Sequence, residues 1–166
     1  MKHISILVPE TAVVEAIADP RYIFSAANQF LEAAGKQPLF NIHLVAAKKE
    51  IELDNSLFTV KADRLLHEVE KTDLILIPAI SGDVRKAIEL NEELIPWIIK
   101  QYKNGAELAS LCIGAFLLAS TGLLKGKKCS THWRAADEFR KMFPGVELVT
   151  DKIITEEQGI YTSGGA

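Results

Sequence analysis

One cysteine lies where a nucleophile could act. Cys112 stands in the run Ser110-Leu111-Cys112-Ile113-Gly114, after an apolar stretch and before a helical pattern. Small residues two positions before and two after it fit a nucleophile elbow, a tight strand-to-helix turn that passes close to neighbouring chains. A thiol at a helix N-terminus faces the positive end of the dipole, so we expect a lowered pKa and a pocket-lining thiol. The alternative is a buried structural cysteine, a common fate of free cysteine.

A histidine follows at a distance that could let it serve as the base. His132 comes 20 residues after Cys112 (132 − 112), directly after Ser130 and Thr131, either of which can cap a helix starting there. On spacing alone, a histidine that only caps or packs is the favoured interpretation. Cys129 lacks flanking small residues and is expected to be a packed side chain. The other histidines are His3, His43 and His67. No pair of the histidines has the spacing of metal ligands, so neither a metal nor a cofactor is predicted.

Segments with strand and helix periodicity alternate along the chain. Strands are predicted over residues 4–8, 39–46, 57–60, 73–77, 106–111, 127–130, 146–149, 152–155 and 160–162. Helices are predicted over 21–34, 62–71, 83–103 with an interruption near Pro96, 113–121, and 132–143 with Trp133 facing inward. This alternation indicates βαβ units and a mostly parallel sheet, and ligands of such sheets bind at the carboxyl ends of the strands. Cys112 follows one of those ends.

Composition limits the classes of function. A chain of 166 residues is the size of one domain. Its net charge of −3 gives no electrostatic case for nucleic-acid binding by this domain. No apolar run reaches the roughly 20 residues of a membrane span, and no secretory signal is recognisable. Two cysteines without a CxxC spacing favour a reducing cytoplasm.

The last residues predict a continuation. A strand followed by Gly164 and Gly165 normally leads into another helix, so we expect residues 1–166 to be a single domain that is cut before its last helix.

Three further segments carry a resemblance to a known family. The runs LCIGAFLLA (111–119), GLLKGK (122–127) and THW (131–133) resemble the ThiJ/PfpI superfamily of class I glutamine-amidotransferase-like domains. More narrowly, the chain is similar to the N-terminal domain of AraC-type transcription regulators, with matching segments at 18–20, 24–28 and 162–166. The resemblance covers nearly the whole chain.

The resemblance implies a three-layer flavodoxin-like sandwich that dimerises. In the regulators, a C-terminal pair of helix-turn-helix motifs follows this domain and binds DNA, and such motifs are absent from these 166 residues. A small-molecule effector would then bind in the pocket lined by Cys112, Ile113, Gly114, Thr131 and His132.

The sequence departs from catalytic relatives at three places. Ile113 stands where peptidase-like relatives have histidine and hydratase-like relatives have threonine, and isoleucine cannot relay a proton. The segment 78–80 reads Pro-Ala-Ile where relatives often have Pro-Gly-Gly, so backbone approach to an oxyanion is less easy. The acidic residue that holds the cysteine in relatives could be Glu10 or Glu15, with Glu15 preferred; the alternative for both is a solvated carboxylate.

These departures weigh against an enzyme but leave the question open. The leading hypothesis is the sensor and dimerisation half of an AraC-family regulator. The runner-up is a cysteine hydratase or amidohydrolase acting on a small molecule, with Cys112 as nucleophile and His132 and Glu15 as weak candidates beside it. A glyoxalase or stress-type redox protein is a third class. For the homodimer, the predicted helix 83–103 offers an apolar surface comprising Ile88, Leu94, Trp97 and Ile98.

Overall fold

A seven-stranded sheet organises the chain in the computed structural model, which describes residues 1–165. The strands are β1 (Lys2–Leu7), β2 (Phe40–Ala46), β3 (Glu50–Leu53), β4 (Phe58–Lys61), β5 (Arg64–Leu65), β6 (Leu74–Ile77), β7 (Glu107–Leu111), β8 (Lys128–Cys129), β9 (Glu147–Leu148), β10 (Ile154–Glu157) and β11 (Ile160–Ser163). The helices are α1 (Glu15–Ala33), α2 (Val84–Leu90), α3 (Leu94–Lys103), α4 (Gly114–Ala119) and α5 (Ala136–Met142).

The strand order in the main sheet is β10-β11-β7-β6-β1-β2-β5, and every pair is parallel except β10 with β11. The pairs β3–β4 and β8–β9 form two small ribbons outside it. Because β2 and β6 flank β1 on opposite sides, the order reverses at β1, as in doubly wound folds. The predicted mostly parallel sheet is confirmed.

Helices cover both faces of the sheet, because the central strands are apolar on both faces. On one face Ile17 of α1 packs with Ile4 and Ile6. On the other face Ile98 of α3 and Phe116 of α4 join the core beneath the sheet. This is the predicted three-layer α/β sandwich.

Helix α1 begins earlier than predicted, at Glu15, and contains Pro20. The expected start at Arg21 is wrong because Pro20, taken as the end of a loop, is tolerated within the helix. The missing proline N–H removes a single backbone bond. Burial of Ile17, which is 3% exposed, anchors the helical turn that precedes Pro20.

The segment 62–71 is not the predicted helix. It forms β5, which pairs with the end of β2, followed by a 3₁₀ helix at Leu66–Glu68. The carboxylate of Asp63 accepts a hydrogen bond from the Leu44 N–H at 2.7 Å, and that of Glu68 accepts one from Leu65 N–H at 2.7 Å. These local bonds compete with helical pairing. Strand β3 was also missed.

The interruption in the predicted helix 83–103 lies at residues 91–93 and not at Pro96. Pro96 is the third residue of α3, where its missing N–H has no intrahelical partner to lose. The side chain of Asn91 makes the break: its Oδ1 accepts from Glu10 N–H at 2.7 Å, and its Nδ2 donates to the carbonyls of Glu10 and Ala87, both at 2.8 Å.

The dimer surface predicted on helix 83–103 is wrong, because its apolar side chains pack inside the chain. Leu94, Trp97 and Ile98 are buried within the chain, and Ile88 packs against the same core. Trp133, predicted to face inward, is instead 66% exposed in a 3₁₀ helix at Trp133–Ala135.

Within residues 1–165, no helix combines the length and the apolar character needed to cross a membrane.

Candidate functional site

The turn between β7 and α4 holds Cys112 at the carboxyl edge of the sheet. Its φ is +54°, a left-handed conformation that is uncommon for a residue other than glycine. The Cys112 N–H donates to the carbonyl of Ser163 at 3.0 Å, which extends the β7–β11 pairing. The Thr131 hydroxyl donates to the Cys112 carbonyl at 3.0 Å. Both backbone groups of this strained residue are therefore held by neighbouring segments.

The glycine two residues after the cysteine is required by space. A Cβ at Gly114 would lie 2.5 Å from the carbonyl oxygen of Pro78 and 2.7 Å from that of Ile77. Helix α4 thus begins in direct contact with the end of β6. Ser110, on the other side of the cysteine, is 1% exposed, and its Oγ has no hydrogen-bond partner among residues 1–165.

The thiol is not activated as predicted. Burial raises the pKa of Cys112 above its ordinary value, and the hydrogen bond from the Ile113 backbone opposes that only in part. The predicted lowering of this pKa is wrong because α4 spans only six residues and apolar surroundings desolvate the thiolate. Gly165 lies close to the sulfur, since a Cβ added there would lie 3.1 Å from Sγ.

Cys129 is a packed side chain, as expected. It has no exposed surface, and burial raises the pKa of its thiol to about 12. Its Sγ donates to the Ser130 carbonyl at 3.4 Å.

His132 caps the 3₁₀ helix that follows it. Its Nδ1 accepts from Arg134 N–H at 3.2 Å, and its ring stacks on Trp133 at 5.7 Å between centroids. No hydrogen bond joins it to Cys112 in the part of the chain that the structure describes. Its role as a base in an enzyme, or as a lining residue of a ligand site, stays a prediction.

The two acidic candidates lie in different surroundings. Glu10 forms an ion pair with Lys48, while its backbone is held by Asn91. Glu15, the first residue of α1, is exposed beside a cavity that Asp54 also lines. Neither carboxylate is hydrogen-bonded to Cys112 within residues 1–165, so the assignment of an acidic partner remains a prediction.

The segment after β6 is tied to the loop after β1. Val13 N–H donates to the Ala79 carbonyl, and Ser81 N–H donates to the Thr11 carbonyl, both at 2.8 Å. Thr11 has a φ of +69°, an outlier for a β-branched residue. Both bonds hold the segment after β6 against the loop after β1. The roles of Thr11 and Asn91 were not predicted, because their hydrogen bonds join residues 70 and 81 positions apart and leave no local pattern.

A cavity of about 170 Å³ lies beside the turn that holds Cys112. Its lining residues come from the loop after β8, the loop before β10 and the end of β11: Ser130, Thr131, Trp133, Thr150, Asp151, Lys152, Ile153, Gly164 and Gly165. Of the predicted lining residues, Thr131 lines it, and Cys112 adjoins it through Gly165. Residues 150–153 were not predicted, since they lie in an irregular segment. No group of three metal-ligating side chains is present within residues 1–165.

The fold and this turn define a class of protein: an α/β sandwich domain with a cysteine at the strand-to-helix turn at the carboxyl edge of a parallel sheet. Within that class, the chain belongs to the DJ-1/PfpI family, whose family profile matches residues 2–166.

Relatives include both regulators and an enzyme. The chain is 27% identical over 127 residues to the HTH-type transcriptional regulator CdhR of Pseudomonas aeruginosa, a match that covers 76% of this chain and 37% of the regulator. It is 23% identical over 145 residues to Deglycase PfpI of Pyrococcus furiosus, covering 82% and 85%. The crystal structure of an AraC family transcriptional regulator from Pseudomonas putida has the same fold, with a TM-score of 0.72, 14% identity, and coverage of 99% of this chain and 84% of that one. The chain thus spans little more than a third of the length of CdhR.

Proposed function

We propose that this domain is the N-terminal sensor and dimerisation domain of an AraC-family DNA-binding transcription regulator and that it is not catalytic. The likeness to CdhR carries the proposal, because its 27% identity over three quarters of the chain exceeds the 23% identity to Deglycase PfpI. The site agrees with it: the Cys112 thiol has a raised pKa, Ile113 supplies no proton relay, and no base is hydrogen-bonded to the sulfur within residues 1–165.

DNA binding is assigned to a separate helix-turn-helix domain that follows this one. The present domain has a net charge of −3, whereas DNA contacts need clustered lysine and arginine. We place the protein in the cytoplasm, where free thiols such as Cys112 and Cys129 stay reduced.

The outer face of α1 is the surface we assign to the homodimer. Tyr22 and Phe30 are 73% and 77% exposed, and Ile23 between them is also exposed. Large apolar side chains grouped on one helix face mark an interface, and two-fold dimers are the commonest assembly. This surface replaces the α2–α3 surface, which the chain itself buries.

Light scattering tests the dimer. The chain at micromolar concentration should scatter as a dimer, and a Tyr22→Ser/Phe30→Ser variant should scatter as a monomer with an unchanged circular dichroism spectrum. A monomeric wild-type chain at the same concentration would contradict the assignment.

The effector would occupy the cavity beside Cys112. Thr131 and Gly165 line it, and Ile113, Gly114 and His132 stay predicted members of the same site. A cavity of about 170 Å³ admits only a small molecule. The effector would lie against Gly165, which lies close to the sulfur of Cys112.

A cysteine-dependent hydratase or amidohydrolase is the second candidate. The positive φ of Cys112 and the close approach of Gly114 to β6 favour it, since both fit a nucleophile elbow. Deglycase PfpI is an enzyme relative of similar length.

Turnover measurements separate the two functions. The chain should hydrolyse or hydrate amides, isocyanides and dicarbonyls no faster than a Cys112→Ala variant. Cys129→Ala serves as the matched control for loss of a thiol. Turnover that disappears in Cys112→Ala and persists in Cys129→Ala would overturn the non-catalytic proposal.

A further inference from the structure

A second cavity lies far from Cys112, toward the amino-terminal ends of β1 and β2. Its volume is about 500 Å³, larger than the cavity beside the cysteine. Strand side chains form its floor, and the segment that leads from β5 to β6 forms its wall. Nothing in the proposed sensor function uses it.

The floor of this cavity is polar. The register pairs His3 with Asn41 and Ser5 with His43, and further along the same face Leu7 pairs with Val45 in the core. Side chains alternate between faces along a strand, so His3, Asn41 and His43 share this face. These three side chains line the cavity, whereas Ser5 on the same face is buried and does not.

The floor presents two imidazole rings. The Asn41 side-chain nitrogen lies 3.3 Å from His3 Nδ1, and that contact leaves His3 Nε2 without a partner in the described part of the chain. The ring of His43 has no hydrogen-bond partner among residues 1–165. Ring nitrogens of both imidazoles are therefore free to hydrogen-bond a ligand.

The wall adds two exposed cations: Arg64 Nη1 donates to the Asp63 carbonyl at 3.5 Å, and the charge of Lys71 helps to lower the pKa of Asp73. Arg64 and Lys71 line the cavity, and neither has a carboxylate within 4.0 Å among residues 1–165. Guanidinium and ammonium groups form strong, charge-assisted bonds to carboxylates and phosphates.

The acidic lining residues are mostly engaged. Asp73 accepts from His3 N–H at 2.8 Å and lies 3.7 Å from the Lys2 ammonium group, and the His3 bond holds the pKa of Asp73 below its ordinary value. Glu68 accepts from Leu65 N–H. Glu68 and Glu70 are both exposed at the rim, where the carboxylate of Glu70 can turn to solvent.

We infer that this cavity binds a small molecule through an oxyanion group, a carboxylate or a phosphate, held by His43, Arg64 and Lys71. The strands position the imidazole, and the flexible cations close over the anion from the wall. Such a site lies at the opposite edge of the sheet from Cys112, so it would bind a second ligand independently of the effector.

The test is a titration of the 166-residue chain with sodium phosphate and, separately, sodium acetate, followed by amide NMR. Ionic strength is held constant with sodium chloride. The amide signals of Asn41, His43 and Lys71 should shift along a saturable curve, and the anion that binds more tightly identifies the class. His43→Gln/Arg64→Gln should weaken binding by about ten-fold or more, because it removes one imidazole and one guanidinium group from the anion. Arg85→Gln, which removes an exposed cation on α2, is the matched control and should bind as tightly as the wild type.

Two outcomes would overturn the inference. One is shifts that stay linear with both anions and spread over exposed lysines throughout the chain, which is ion screening only. The other is equal affinity in the double variant and the wild type. Neither outcome bears on the regulator proposal, which depends on the Cys112 edge of the sheet.

Discussion

Replacement of Gly114 by alanine tests whether close packing of α4 on β6 shapes the Cys112 turn. The added Cβ would meet two carbonyl oxygens, those of Pro78 at 2.5 Å and Ile77 at 2.7 Å. Both are backbone atoms, so neither can rotate away, and α4 or the end of β6 must move by several tenths of an ångström. Overpacking of this kind costs about 1–3 kcal/mol.

Helix propensity acts in the opposite direction. Alanine is better than glycine in a helix by about 1 kcal/mol in the interior, and Gly114 is the first residue of α4, where the gain is smaller. Taking the upper part of the packing cost because the obstacle is backbone, we expect the free energy of unfolding to fall by about 2 kcal/mol.

Urea unfolding followed by circular dichroism measures this change through the midpoint. Gly145→Ala is the matched control: its added Cβ would lie 3.5 Å from the Lys125 side chain, an ordinary contact, and its stability should change by less than about 0.5 kcal/mol. A Gly114→Ala variant as stable as Gly145→Ala would refute the packing argument.

Further predictions follow from the same surroundings. Ser110→Ala should leave stability unchanged or raise it by about 1 kcal/mol in urea unfolding, because it removes a buried hydroxyl without a partner; a clear loss would show that the hydroxyl is satisfied. Asn91→Ala should lower stability by about 2–3 kcal/mol, because it breaks three hydrogen bonds and leaves the backbone of Glu10 unpaired; a change below about 0.5 kcal/mol would contradict the stabilising role of these bonds. Iodoacetamide, followed by mass spectrometry, should label Cys112 before Cys129, and the Cys112 rate should still be rising at pH 9 because its pKa is raised; equal rates would contradict the difference in burial. Finally, Cys129 keeps its proton in the folded chain up to about pH 12 but loses it near pH 9 when unfolded, so stability should decline between these values as pH rises. Cys129→Ala should flatten that decline in urea unfolding at pH 8 to 10, and an identical slope in the variant would contradict the linkage.

The fold was largely predictable from local patterns. The isoleucine-rich runs that became β1 and β6 are buried at consecutive positions, so their composition indicates central parallel strands without any tertiary information. The need for a small residue at position 114 was also predictable, because a nucleophile elbow passes close to a neighbouring segment of the same chain.

What could not be predicted depends on contacts between distant residues. Segment 62–71 has a helical apolar pattern, yet Asp63 bonds to the backbone of β2 and Glu68 bonds to Leu65 N–H at the start of the 3₁₀ helix, so no α-helix forms. The raised pKa of Cys112 follows from burial beside residues that come from other segments, among them Gly165. The cavity beside Cys112 is lined by residues 150–153, which come next to the end of β11 only once β10 and β11 have paired.

The central claim is that this domain is the sensor half of a DNA-binding regulator. The most direct measurement is the reading frame of the encoding gene downstream of residue 166. We predict that the reading frame continues for about 150 residues, another domain's length, into a basic, helical region with two helix-turn-helix motifs. A stop codon soon after one further helix would contradict the regulator and favour the enzyme.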